Sequence, residues 1–226
     1  MDWRFDEHHD CPRPCSRFVL GVPASRFLRP WSDWRSRVCL LYVYATPYFT
    51  FDEATFPRPY YWPRRVPLWF HIAGGTGALL VGPVQLWLGI TDLAPEWHRR
   101  LGMIYITCLA IGSAAAFYLL TYTELGLAFQ TGVFGLALAW IVTTSLAFIA
   151  VRRGLIEQHR EWMTRSYVVT TGFTVYRVVM FVLPALHIST SRLEQRSVAA
   201  WFCWAVPLLI CEAFIQGRKI FKSPTY

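Results

Sequence analysis

The stretch Leu68–Ile90, LWFHIAGGTGALLVGPVQLWLGI, contains no charged residue, and His71 is its one titratable side chain. At about 1.5 Å per residue a helix over this stretch is long enough for the roughly 30 Å hydrocarbon core of a bilayer. The same reading applies further along the chain, with predicted spans at 68–90, 100–122, 129–151, 163–183 and 198–216. Inside lipid the backbone must satisfy its own hydrogen bonds, so runs of this length are helices. The fold class expected is all-α: an integral membrane helical bundle of about six transmembrane helices, five strong and one short and N-terminal.

Composition agrees. Of 226 residues 54% are hydrophobic and mean hydropathy is +0.32, more apolar surface than a soluble chain of this size can bury. The net charge of +8 reports orientation rather than nucleic-acid binding, because no basic cluster accompanies a soluble recognition fold. The partner implied is the lipid bilayer. Cys108, Cys203 and Cys211 fall within predicted spans, where a thiol behaves as a small apolar group.

Charges at the span ends fix a topology. Arg99, Arg100, Arg152, Arg153, Arg160, Arg165, Arg218, Lys219 and Lys222 gather on one side, against Arg58, Arg64, Arg65, Arg192 and Arg196 on the other. The positive-inside rule makes the richer side cytoplasmic. Residues 1–37 read as a polar, disordered tail and 38–226 as a single transmembrane domain. Val38–Phe51, VCLLYVYATPYFTF, is apolar but short for a span. If it crosses with local thinning, both termini are cytoplasmic; a re-entrant segment is the alternative. Trp62, Trp69, Trp201 and Trp204 near one boundary and Trp87, Trp97 and Trp162 near the other form an aromatic belt.

Two spans are introduced alike, by His98-Arg99 and His159-Arg160. Both pairs belong to the inner edge, each opening an outward-running helix. The arginines are accounted for as anchors. The imidazoles can serve as ligands for a metal, or as the axial pair of a b-type haem held between helices. His71, one turn inside its span, is the candidate for an outer site, with His187 as a weaker companion. Arg177 lies within an apolar span, where a cation invites a functional reading or snorkels to the surface. By depth its companions are His71, Tyr122 and Glu124, whereas Glu212, Gln85 and His98 share the inner half. Gly82-Pro83 predicts either a kink or plain packing, and Gly74, Gly75 and Gly77 permit close helix contact. His8, His9, Cys11 and Cys15 cluster in the tail, in a spacing that matches no standard zinc pattern.

The ordered segments FHIAGGTGALLVGPVQ, HRRLGMIY, LAWIVTTSLAFIAVRRGLIEQHREWMTRSYVVT and WAVPLLICE resemble the multi-pass membrane family called domain of unknown function 2306, over roughly residues 66–216. The resemblance implies a helical membrane bundle and carries no activity with it. It implies that His71, Gln85, His98, Arg99, His159, Arg160, Trp162, Met163, Arg165, Arg177 and Glu212 belong to the common motif set. Pro207 stands where members commonly carry Asn, and the first 37 residues do not resemble the family. Two functions follow as expectations. One is a redox protein that binds haem or another His-ligated centre through His98 and His159, with His71 at an outer site and Arg177 offsetting a buried anion. The other is a non-catalytic assembly factor or small transporter.

Overall fold

The computed structural model describes residues 46–49, 52–54, 56, 59–186 and 191–222. Most of the short segment 38–51, the tail with His8, His9, Cys11 and Cys15, and His187 lie outside the described residues. The chain divides into two compact units, Met1–Trp62 and Pro63–Tyr226. In the first, a 3-10 turn covers Thr46–Phe49. Buried Phe56 meets the rings of Tyr48 and Trp62 edge-on, with centroids 5.7 and 5.5 Å away.

The second unit is built from six helices: α1 (Arg65–Thr91), α2 (Pro95–Leu120), α3 (Gly126–Arg152), α4 (Ile156–Thr170), α5 (Gly172–Ala185) and α6 (Arg192–Lys222). No strand occurs among the described residues. Helices α1, α2, α3 and α6 are each long and apolar enough to cross a membrane, and α4 with α5, bent by 42° at their break, is either a fifth, broken span or a re-entrant pair. The all-α membrane bundle expected from the sequence is the fold observed.

The span predicted at 163–183 differs most from expectation. It begins at Ile156 and breaks at Thr171. Thr170 and Thr171 donate their hydroxyls back to Ser166 O (2.9 Å) and Val168 O (2.7 Å), a competition with the helix ladder that bends helices. Gly172 follows at once, with Leu136 filling the space beside its Cα.

Two short links shape the arginine-rich end of the bundle, called the inner end below. Asp92–Ala94 joins α1 to α2, with Asp92 in the left-handed region at φ 51°. Arg153–Leu155 joins α3 to α4, with Gly154 at φ 74° and Leu155 N–H donating to Ala150 O at 2.9 Å, a Schellman-type stop. Each link returns the chain antiparallel, so the helices that His98 and His159 open start at the same end.

Small residues set the closest contact. A Cβ on Gly74 of α1 would stand 2.5 Å from Cys108 O and 2.7 Å from Gly112 N of α2. Gly82 faces the Tyr167 ring of α4, which occupies the place of a Cβ, and α1 continues through Pro83 as one helix. The Gly-Pro pair thus serves packing. Helix α4 is central, touching α1, α3 and α6, while α5 lies chiefly on α6. Ala78, Tyr105, Leu109, Trp140 and Val169 form the buried core. Leu80, Val84 and Trp87 of α1 and Leu209, Ile210 and Phe214 of α6 point outward. Such a surface suits lipid and not water.

Candidate functional site

The polar residues of the bundle follow seven-residue steps, which keep side chains on one helix face. His71, Ala78 and Gln85 share a stripe of α1; His98, Tyr105 and Gly112 share one of α2; His159 and Ser166 share one of α4. Because α1 and α2 run antiparallel, His71 meets Gly112 at one end and Gln85 meets His98 at the other.

At the inner end His98 and His159 converge. Their ring centroids lie 6.2 Å apart, with planes at 87°. His159 Nδ1 is 2.9 Å from Ala147 O. A carbonyl only accepts, so Nδ1 carries a hydrogen, and in a neutral ring the lone pair is then on Nε2. Gln85 Nε2–H donates to His98 O at 2.7 Å, across the α1–α2 seam. Gln85 Oε1 and His98 Nδ1 are both buried with no hydrogen-bond partner. Two glycines admit these side chains: a Cβ on Gly89 would lie 3.0 Å from His98 Cε1, and one on Gly102 would lie 2.8 Å from Gln85 Nε2. At the rim Arg160 Nη2 donates to Asp92 Oδ2 at 3.2 Å, tying α4 to the α1–α2 link.

Beside this pair, on another face of α4, lies a four-charge cluster. Arg165 Nε donates to Glu212 Oε2 of α6 at 2.7 Å, and Arg165 Nη1 is 3.6 Å from Glu161. Lys219 Nζ donates to Glu161 at 2.8 Å, and Gln216 Nε2 to the other Glu212 oxygen at 2.6 Å. The guanidinium also stacks over Trp162, with Cζ 4.6 Å from the ring centre. Reading Arg165 as a headgroup anchor therefore missed its role. Its side chain is 7% exposed, and it holds α4 to α6. Burial of the i, i+4 pair Glu161–Arg165 opposite an acidic residue on another span was the available signal.

Deeper still, four hydroxyls and an indole form one network. Tyr105 OH lies 2.9 Å from Ser166 Oγ and 2.6 Å from Thr170 Oγ1. Ser166 Oγ is 2.6 Å from Thr144 Oγ1, which donates to Trp140 O at 2.8 Å, while Trp140 Nε1–H donates to Thr170 Oγ1 at 2.8 Å. The chain of bonds leaves Trp140 by its indole and returns to its carbonyl, joining α2, α3 and α4.

Toward the outer end His71 Nδ1 is 3.0 Å from Gly112 O, which again leaves Nε2 as the basic nitrogen. Arg177 stands on the exposed face of α5, its Cζ 5.1 Å over the Phe173 ring. The structure thus brings together His98, His159 and Gln85, and separately Arg165 and Glu212. His71 is packed against α2, and Arg177 faces outward.

Helices of this length and polarity, closed around buried polar groups, define a multi-pass integral membrane protein. The family model described as predicted membrane protein, DUF2306, matches residues 68–215, and the chain belongs to that family. No curated protein and no solved structure matches the chain.

Proposed function

We propose that the chain is a membrane redox protein in which His98 and His159 supply the axial ligands of a b-type haem at the inner end of the bundle. The observation that carries this reading is the convergence of the two rings at 6.2 Å. Two imidazoles that meet across a helix seam are the donor pair that would hold such a group. The donor chemistry fits: His98 Nδ1 is buried without a partner, and the Ala147 carbonyl holds His159 in the tautomer whose Nε2 can ligate. Among the described residues no three His, Cys, Asp or Glu side chains gather as a metal site. A bare cation usually asks the protein for three or four ligands, whereas haem asks for two. When bound, haem supplies one-electron transfer.

The chain's own residues would position and shield it. Gln85 fixes the backbone at His98, Gly89 leaves room for the His98 ring, and Arg160 with Asp92 covers the rim. His71 is the proposed ligand at an outer level, and Arg177 the cation proposed to offset a propionate or quinone oxygen there. The inner end is taken as cytoplasmic from its arginine excess. Both termini are then cytoplasmic if one further crossing precedes Pro59.

The deciding measurement is a reduced-minus-oxidised absorption spectrum of protein expressed with haem supply. A Soret shift lost in His98→Ala and in His159→Ala supports the reading. Colourless, iron-free, folded protein would end it and favour the assembly factor or small transporter, in which these histidines act in folding or partner binding.

A further inference from the structure

Charge at the inner end does not cancel. Arg160 pairs with Asp92 and Glu157, Arg165 with Glu161 and Glu212, and Lys219 with Glu161. Of the acidic residues at this end, that leaves Glu96. Against it stand Arg99, Arg100, Arg152, Arg153 and Arg218, all exposed and none within ion-pair distance of a carboxylate among the described residues.

Their place on the helices says which anions they meet. One turn separates Arg99 and Arg100 from Met103 and Ile104 on α2, Arg152 and Arg153 from Phe148 and Ile149 on α3, and Arg218 from Phe214 on α6. Residues three or four apart share a helix face, and all five of these apolar side chains are exposed. Each arginine therefore stands one turn beyond a lipid-facing surface, on the outside of the bundle. That is the depth of phospholipid phosphates, where the stem of an arginine lies along hydrocarbon and its planar guanidinium takes two phosphate oxygens. Exposed Trp97 braces this level on α2, its ring centre 5.5 Å from Arg100 Cζ. A zwitterionic headgroup brings its own ammonium and leaves the arginine excess standing, whereas an anionic headgroup cancels it. We propose that the Arg99-Arg100 and Arg152-Arg153 pairs each bind the headgroup of an anionic phospholipid, with its acyl chains along Met103 and Ile104 or along Phe148 and Ile149. The proposal goes beyond the haem reading and does not rest on it, since headgroup binding needs no iron.

The test is native mass spectrometry of full-length protein released from micelles that contain phosphatidylglycerol and phosphatidylcholine in equal amounts. Expected is preferential retention of phosphatidylglycerol, one molecule per arginine pair. The double variant Arg99→Gln, Arg100→Gln and the double variant Arg152→Gln, Arg153→Gln are each expected to weaken retention of one of these lipids by at least about tenfold. Lys219→Gln removes a charge that Glu161 already holds and is expected to keep both. Equal retention of the two lipids, undiminished retention in either double variant, or an equal loss in Lys219→Gln overturns the proposal. Displacement of phosphatidylglycerol by an equal concentration of inorganic phosphate assigns the arginines to a free anion and overturns it too. If the double variants do not fold, thermal midpoints of the unaltered chain in nanodiscs of each lipid decide. A midpoint raised by phosphatidylglycerol at low salt but not at high salt supports the site. Midpoints that are equal, or raised regardless of salt, reject it.

Discussion

The Tyr105 hydroxyl of α2 lies 2.9 Å from the Ser166 hydroxyl of α4, at a point where both side chains are fully buried. With one hydrogen per hydroxyl, and Thr170 giving its own to Ser166 O, Tyr105 donates to either Ser166 Oγ or Thr170 Oγ1; in the first case Ser166 donates to Thr144 and Thr144 to the Trp140 carbonyl. Tyr105→Phe keeps the ring and removes that donated bond. Hydrogen bonds between membrane helices contribute about 0.6 kcal/mol on average and up to about 1.7. One donated bond at a central position puts the expected destabilisation between those two figures. Reversible unfolding in mixed micelles checks it; an unchanged midpoint would show that the network relaxes without the phenol.

Arg165 and Glu212 form the bond that couples α4 to α6, at 2.7 Å. Removing one partner of a fully buried pair costs about 3–5 kcal/mol. The Glu212 side chain is 41% exposed, so the pair is not fully buried and the loss is expected to fall below that range. Arg165→Met is expected to cost more than Glu212→Gln, because the first strands Glu161 and Glu212 beside Lys219 alone, while the second leaves Arg165 its Glu161 contact. The double variant is expected to lose less than the sum of the two. Strict additivity in a double-mutant cycle would mean the pair is not coupled.

The membrane class was legible because a span is written in composition: Leu68–Ile90 and its counterparts need only length and apolarity to be found. The convergence of His98 with His159 was half legible. Both open helices at one face, but the approach of their rings depends on the links at Asp92 and Gly154, whose left-handed backbones no hydropathy pattern reveals. Arg165 was misread because a basic residue near a helix start resembles an anchor until its neighbour on α6 is known. Thr170 and Thr171 looked like ordinary polar residues in a continuous span. Their hydroxyls turn back on the α4 carbonyls at the point where the chain bends. The seven-residue steps His71–Gln85 and His98–Gly112 were in the sequence and would have suggested the α1–α2 pairing.

Gly74 and Gly75 are adjacent in α1 yet differ in surroundings. A Cβ on Gly74 would meet the backbone of α2 at 2.5–2.8 Å, whereas one on Gly75 has nothing within 4 Å. Gly75→Ala is therefore expected to be neutral, or stabilising by up to about 1 kcal/mol from helix propensity. Gly74→Ala must force α1 and α2 apart, and a backbone contact cannot yield as a side chain can. Its expected loss is about 1–3 kcal/mol. The comparison is made by thermal denaturation of the two variants in one detergent, and equal behaviour would contradict the packing described.

Gly89 and Gly102 support the histidine pair from beneath, and substitutions there separate geometry from ligation. Gly89→Ala adds a methyl 3.0 Å from His98 Cε1 without touching either imidazole nitrogen chemically. The ring must give way by a few tenths of an ångström or rotate relative to His159. If His98 and His159 are axial ligands, the variant keeps bound haem but shifts its midpoint potential or its low-spin electron paramagnetic resonance signal, since both respond to ligand orientation. Gly102→Ala presses instead on Gln85 Nε2, at 2.8 Å, and acts through its bond to His98 O. Its effect is expected in the same direction and smaller, because the terminal amide can rotate aside. Gly75→Ala serves as the control, with an unaltered signal. A potential and resonance signal identical across Gly89→Ala, Gly102→Ala and Gly75→Ala would mean that any bound haem takes its ligands elsewhere.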